Sequence, residues 1–331
     1  VEDVDHELVS DYIDEFFQNP KSTQQLLERS ILYFPAIEKE LGSQGMPEAL
    51  KILPLIESRC NPLAKSKVGA EGLWQFMVPT ARQLGLRINA DLDERRDPTK
   101  ATKAALSYLQ YLHEKYEDWT LVLAAYNAGP GRVNKAIRSA GGQKNFEAIK
   151  SFLPKETRNY IPKYLALQYV VENHREYGLK PGLPELDIHM ISHVNINRKI
   201  SVKKISEITD IDEQTITFLN PALKHNYVPS LAQGYDLILP QRVMAIFEYY
   251  LVTKEQMANP FAYRTLELTV DKKQSIYSFQ GADPREFDRM RAEFARRLAD
   301  SDTPLQGAQL VSSFRSAEAI LRLVDTVFAQ V

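Results

Sequence analysis

Cysteine is nearly absent from this 331-residue chain: Cys60 stands alone. No intrachain disulfide can form, and a zinc site built on cysteines is excluded. The count leaves the compartment open, because many exported proteins also lack disulfides. An excess of either charge is lacking too. Lys plus Arg is 41 and Asp plus Glu is 43, a formal net charge of -2. That balance gives no general electrostatic drive toward nucleic acid or an anionic membrane, so neither is expected as a partner. No apolar run approaches the ~18–20 residues that span a bilayer. The chain opens on the acidic Val1-Glu2-Asp3-Val4-Asp5, without the basic-then-apolar order of a signal peptide. Either a cytosolic protein or a mature form fits that start. Internal repeats and low-complexity tracts are missing as well. What remains is an ordinary globular composition, 44% hydrophobic and 25% charged. At roughly 100–200 residues per domain, the chain is long enough for two or three domains.

The first half reads as helix after helix. Val4, Leu8, Tyr12, Ile13 and Phe16 form one apolar stripe, which Asn19-Pro20 breaks. Leu26, Leu27, Ile31, Phe34, Ile37 and Leu41 form the next, with Gly42 as its expected stop. Pro47 is expected to start a helix through Leu50, Leu53 and Ile56 that Pro54 distorts. Thr99 and Asp118 are the expected N-caps of two more helices. Glu156 to about Tyr177 reads as a long amphipathic helix. Gly178–Pro184, rich in glycine and proline, reads as a linker. Beyond it the pattern turns to strand (Ile188–Ile196), helix (Val202–Ile208), helix (Glu213–Leu219) and strand (Tyr235–Leu239). In the tail, Thr265–Val270 reads as a strand, and Pro284–Leu298 and Ser313–Phe328 as amphipathic helices.

Three short stretches carry chemistry. Glu57 sits at the apolar end of a helix, after Pro54, Leu55 and Ile56. Partial desolvation there raises a carboxyl pKa toward what a general acid needs near neutral pH. Gly69–Met77 follows, with glycines for tight turns, apolar faces on Trp74, Phe76 and Met77, and an amide on Gln75. Ala124–Gly131 ends a helix with the phenol of Tyr126 and the amide of Asn127. Amides, phenols and aromatic faces beside one protonatable carboxyl suit a neutral, hydroxyl- and acetamide-rich ligand, a sugar polymer before a phosphate or a metal. Each stretch alone also fits a plainer origin: a solvated glutamate, core packing and a helix terminus. Glu71, Asp91 and Asp93 are the nearest candidates for the second carboxylate of a hydrolase, which lies about 5–9.5 Å from the first. Their composition reads as solvated surface charge. His189 and His193 share one face of the expected strand without a third ligand nearby, so no metal and no cofactor is expected. Gly129-Pro130-Gly131 lacks the Lys-Ser/Thr of a phosphate loop. Arg291, Arg296 and Arg297, interleaved with Glu286 and Glu293, read as a solvated face.

Taken in order, Glu57-Ser58, Gly72–Phe76, Ala125–Gly129 and Glu156-Thr157-Arg158-Asn159-Tyr160 resemble the goose-lysozyme-like lytic transglycosylases, bacterial peptidoglycan enzymes. Asp93–Pro98 and Tyr116–Trp119 add a resemblance to the D-type membrane-bound group. The likeness covers about residues 46–177. It implies that Glu57 is the single catalytic acid/base, cleaving the bond between N-acetylmuramic acid and N-acetylglucosamine without water to leave a 1,6-anhydro sugar. It implies that Ser58 and Gln75 hold the sugar and its acetamide, and that Phe76, Met77, Tyr126 and Asn127 line the cleft. Tyr160 is placed near Glu57. Cys60 and Val78-Pro79 depart from the pattern and read as packing adjustments. A hydrolytic muramidase and a catalytically silent wall-binding scaffold are the rival readings. The implied partner is the peptidoglycan glycan strand. The implied location is the periplasm or cell envelope, with room for an outer-membrane anchor in a longer precursor.

The second unit resembles a LysM module, best in Phe218-Leu219-Asn220-Pro221 and Gly234–Pro240. Lys199–Val202 replaces the Gly-Asp-Thr-Leu loop typical of that family, so a working N-acetylglucosamine binder and a degenerate structural module both stay open. The expected class is mainly α. Bracing helices (1–45) and a lysozyme-like catalytic domain (46–180) precede a small βααβ LysM-like module (186–242). A mostly helical region (243–331) ends the chain, and contact with a cell-wall protein is one of its open roles.

Overall fold

A computed structural model describes residues 6–258, with side chains through residue 253. The expected tail elements at 265–270, 284–298 and 313–328, with their arginines, lie outside the described residues. The chain within them is mainly helical, and its buried apolar residues fall into two cores.

The first core begins with α1 (His6–Gln18) and α2 (Pro20–Ser43). The break falls at Asn19, because Pro20 has no N–H to give and suits the first turn of a helix. The second helix runs one residue past Gly42, and Gly45 makes the turn instead, at φ +63°. A 3-10 turn (Glu48–Ile52) then leads into α3 (Leu53–Ser58). Pro54 opens this short helix, so the expected distortion takes the form of a 3-10-to-α junction. A left-handed pair, Arg59 and Cys60, ends it; their amides donate to Leu55 O and Pro54 O at 3.0 Å. Cys60 is fully buried in the core.

α4 (Val78–Gln83), α5 (Pro98–Tyr116), α6 (Trp119–Ala128) and α7 (Pro130–Ser139) follow. The cap of α5 is Asp97, not Thr99: its carboxylate accepts from the Thr99 and Lys100 amides. Pro98 occupies the first helical position, so the capping side chain must come from the residue before it. Asp118 caps α6 as its sequence position predicts. α6 is apolar all round, and Leu121 to Ala125 are all buried. It therefore runs through the middle of the core, against α5, α7 and α9. After α8 (Phe146–Ile149), α9 (Lys155–Asn173) lies across α1 and α6. It stops short of Tyr177.

The Gly178–Pro184 stretch has no regular structure, yet it is not free. Leu179 is 4% exposed and belongs to the first core.

After α10 (Leu186–His189), which buries no residue, the second core is built from β1 (Ile191–Ile196), β2 (Ile200–Ser201), α11 (Val202–Thr209), α12 (Glu213–Leu219), β3 (Tyr227–Val228), β4 (Tyr235–Pro240) and α13 (Met244–Ala258). β1 and β4 are antiparallel, Ile191 opposite Pro240 and Ile196 opposite Tyr235. β2 pairs with β3. The strand expected from Ile188 starts at Ile191, because Leu186–His189 closes a helical turn. His189 and His193 therefore sit on different elements. Asn220 pins α12 to β4: its amide donates to Ile216 O (2.8 Å) and Ile238 O (2.7 Å) and accepts from the Ile238 amide (2.9 Å). Every polar atom of this buried side chain has a partner, which a buried amide requires. Met244 and Phe247 of α13 are buried in the same core.

Candidate active site

Glu57 lies in the last turn of α3. That helix is anchored by fully buried Leu53 and Leu55, while Glu57 itself is half-buried. Tyr160, from α9, donates its hydroxyl to Glu57 Oε1 at 2.6 Å. Burial pushes the Glu57 carboxyl up to about 7. The Tyr160 bond opposes that rise by favouring the charged form, and the negative charge of Glu156 adds to it. The carboxyl is therefore protonated in a substantial fraction of molecules at neutral pH. Burial first, and the Glu57 charge second, hold the Tyr160 and Tyr126 phenols well above their ordinary range, so both stay proton donors.

The Gly69–Met77 loop is bonded to both α3 and α6, through Ser58 and Tyr126. Gly72 adopts φ +90°, and a Cβ there would lie 1.8 Å from Arg95 O, so only glycine fits. Gln75 is left-handed at φ +49°. Its amide nitrogen donates to Ala64 O (3.1 Å) and Gly72 O (2.9 Å). Trp74 is fully buried, with Nε1 bonded to Thr102 Oγ1 (3.0 Å). Tyr126, from α6, donates to Trp74 O at 2.7 Å, and its ring lies 6.4 Å from that of Phe76. Asn127 accepts from Thr157 Oγ1 at 2.8 Å, joining α6 to α9 beside Tyr160.

Three elements and one loop thus interlock here: Tyr160 and Tyr126 stand beside Glu57, while Gln75 and Asn127 are fixed by bonds to the loop backbone and to Thr157. Two of the expected residues are placed differently from a sugar contact. Ser58 is buried, and its Oγ lies 3.0 Å from Pro54 O and 2.9 Å from Leu73 O. It ties the helix of Glu57 to the loop rather than facing a ligand. Phe76 is 4% exposed and packs under Tyr126, whereas Met77 beside it is 42% exposed. Thr157 joins the site as well; in the sequence its only signal is its place before Tyr160 in one motif.

Of the three carboxylates read as solvated, two are buried and the third is half-buried. Glu71 and Asp93 are 2% and 3% exposed. Both grip the buried Arg95 guanidinium, at 2.7 Å each, and Arg96 Nε holds Glu71 from the other side at 2.7 Å. Asp91 is half-buried and accepts from Tyr227 OH at 2.6 Å. Arginine partners close enough for paired hydrogen bonds explain how carboxylates bear burial. Among the described residues no cluster of three or more His, Cys, Asp and Glu is arranged for a metal.

Residues 34–149 match the family described as Transglycosylase SLT domain, and residues 191–256 match the Lytic transglycosylase MltD, LysM-like domain. The chain carries an SLT-type transglycosylase domain. The membrane-bound lytic murein transglycosylase D of Escherichia coli (strain K12) is 31% identical over 228 residues, 67% of this chain and 50% of that relative. The soluble lytic murein transglycosylase of the same strain is 35% identical over 116 residues, 33% of this chain and 18% of the relative. The crystal structure of the 70-kDa soluble lytic transglycosylase Slt70 from Escherichia coli aligns with TM-score 0.39 at 26% identity, over 50% of this chain and 30% of that one. The chain spans half the length of the first relative. The SLT match contains Glu57, the Gly69–Met77 loop, Tyr126 and Asn127, and stops before Tyr160.

Proposed function

We propose that this protein is a lytic transglycosylase of peptidoglycan. It cleaves the β-1,4 bond between N-acetylmuramic acid and N-acetylglucosamine, with Glu57 as sole general acid/base. Protonated Glu57 gives its proton to the glycosidic oxygen as the C1–O bond breaks. The resulting carboxylate takes the proton of the muramyl C6 hydroxyl, whose oxygen bonds to C1. The products are a 1,6-anhydro end and a free hydroxyl, and no water is consumed. The attacking hydroxyl is already tethered to the sugar, which lowers the entropic cost of reaction. Tyr160 orients the carboxyl, and its bond favours the charged intermediate form.

The observation that carries this reading is a half-buried glutamate raised to about 7 with a phenol on its Oε1. Against a hydrolase stands the state of Glu71 and Asp93, both locked to Arg95 and so withheld from activating water. Gln75 through its Oε1, Met77 through its thioether, Tyr126 through its ring and Asn127 through its Nδ2 serve the glycan, and Ser58 and Phe76 support them. Residues 1–45 serve as bracing helices, 46–180 as the catalytic domain, 186–242 as the LysM-like module and 243–331 as a further region. The site of action is the periplasm or cell envelope, where the polymer lies, and an outer-membrane anchor belongs to the same reading. Zymography on a peptidoglycan gel tests it: wild type clears the gel and Glu57→Gln, folded by circular dichroism, does not. Clearing by both variants would reject Glu57 as the acid.

A further inference from the structure

The two cores meet along Arg87–Asp97, and this segment faces both ways. Toward the second core, Leu92 is fully buried among that core's residues. Backbone bonds flank it: the Asp93 amide donates to Ala222 O and the Lys224 amide to Asp91 O, each at 2.9 Å. Arg87 Nη1 adds a bond to Gly234 O at 3.3 Å. Toward the cleft, the same segment holds the Gly69–Met77 loop. Arg95 Nη1 donates to Gly69 O (2.8 Å) and Phe76 O (3.1 Å), near the two ends of that loop, while Nη2 binds Glu71. Asp93 fixes Arg95 in turn through two bonds, Nε to Oδ1 at 2.9 Å and Nη2 to Oδ2 at 2.7 Å. One residue, Asp93, is thus tied to the second unit by its backbone and to the cleft loop by its side chain.

The loop needs such a hold. It contains the left-handed Gln75 and the crowded Gly72, and irregular backbone of this kind persists only where its surroundings over-determine it. A guanidinium has a fixed fork of donors, so its partners are held in direction as well as distance.

We infer that the LysM-like unit is a structural part of the cleft: through Leu92 and Asp93 it sets Arg95, a positioning residue that shapes the Gly69–Met77 loop for glycan binding. The identity of the ligand rests on the proposed function; the mechanical coupling does not. Glu57 and Tyr160 stand on α3 and α9, and among the described residues α3 is hydrogen-bonded to the braced loop only through Ser58 Oγ and Leu73 O, so the brace acts first on substrate binding and much less on proton transfer.

Hydrogen exchange on the full chain tests the coupling without reference to activity. In Arg95→Lys and Leu92→Ala, the amides of Glu71, Gly72 and Gln75 exchange at least tenfold faster than in wild type, while those of Arg59 and Cys60 do not change. Leu92→Met, which keeps the side-chain volume, behaves as wild type. If Leu92→Ala opens the whole chain, Leu92→Val is read by the same criteria. Unchanged exchange in the loop, beside faster exchange at Leu223 and Lys224 in a Leu92 variant, overturns the inference. In kinetics on glycan strands, the Leu92 and Arg95 variants raise KM at least fivefold, with kcat within twofold and the pH limb unmoved. A fall in kcat with a displaced limb also overturns it. Inactive wild type rejects the proposed function and leaves the exchange result standing.

Discussion

At Glu57, burial and the charge of Glu156 raise the carboxyl pKa while the Tyr160 hydroxyl lowers it, and each influence can be removed singly. Tyr160→Phe deletes the bond that favours the charged form, so the pKa rises further. The alkaline limb of kcat/KM is predicted to move about 1–2 pH units upward, the size of a hydrogen bond to a charged group. A limb that stays in place would remove Tyr160 from the account. Glu156→Gln moves the limb the other way, since it removes a like charge. Stability gives an independent reading. The ordinary glutamate value is 4.5 and burial brings the folded one to about 7, so the folded state holds the proton more tightly. Its contribution is complete below pH 4.5 and is lost as pH rises through 7. Glu57→Gln, neutral throughout, is therefore predicted to be the more stable protein at pH 8, by up to roughly 3 kcal/mol. Below pH 4.5 the difference vanishes; urea unfolding at the two pH values checks it. The glutamate was legible in the sequence from its apolar neighbours. The duties of Ser58 and Phe76 were not, because a hydroxyl or ring beside a catalytic residue looks the same whether it faces a ligand or the core.

Among the elements, the helices were the most legible, since their apolar periodicity is set by the same burial that stabilises them. Boundaries moved where proline decided them, as at Asp97-Pro98, where the cap fell one residue before the ring. The Gly69–Met77 loop was visible as a turn-rich motif, but its hold was hidden. Glu71 and Asp93 read as surface charge because their arginine partner is 24 residues from one and 2 from the other, and only the fold brings all three together. The loop's tightest point yields a prediction. Gly72→Ala places a methyl 1.8 Å from a carbonyl oxygen at φ +90°. It is expected to destabilise the protein by about 2 kcal/mol or more. A thermal melt indistinguishable from wild type would contradict the loop geometry.

Across the whole molecule, the buried Leu92, the paired backbones at Asp91–Asp93 and 222–224, and the packed Leu179 join the two cores. Calorimetry is expected to record one unfolding transition for both rather than two. This joint could not be read from the sequence, where Gly178–Pro184 suggested independent units; the contact comes from a segment lying far upstream of it. The strand–helix–helix–strand order was readable because each element carries its own period. At this scale the proposed reaction is distinguished by the ends it leaves on the glycan. Mass spectrometry of peptidoglycan digested in H2(18)O measures them directly. Digestion by Glu57 is expected to leave 1,6-anhydro-muramyl ends with no 18O at C1; reducing ends that carry 18O would show hydrolysis and rule out the transglycosylase reaction.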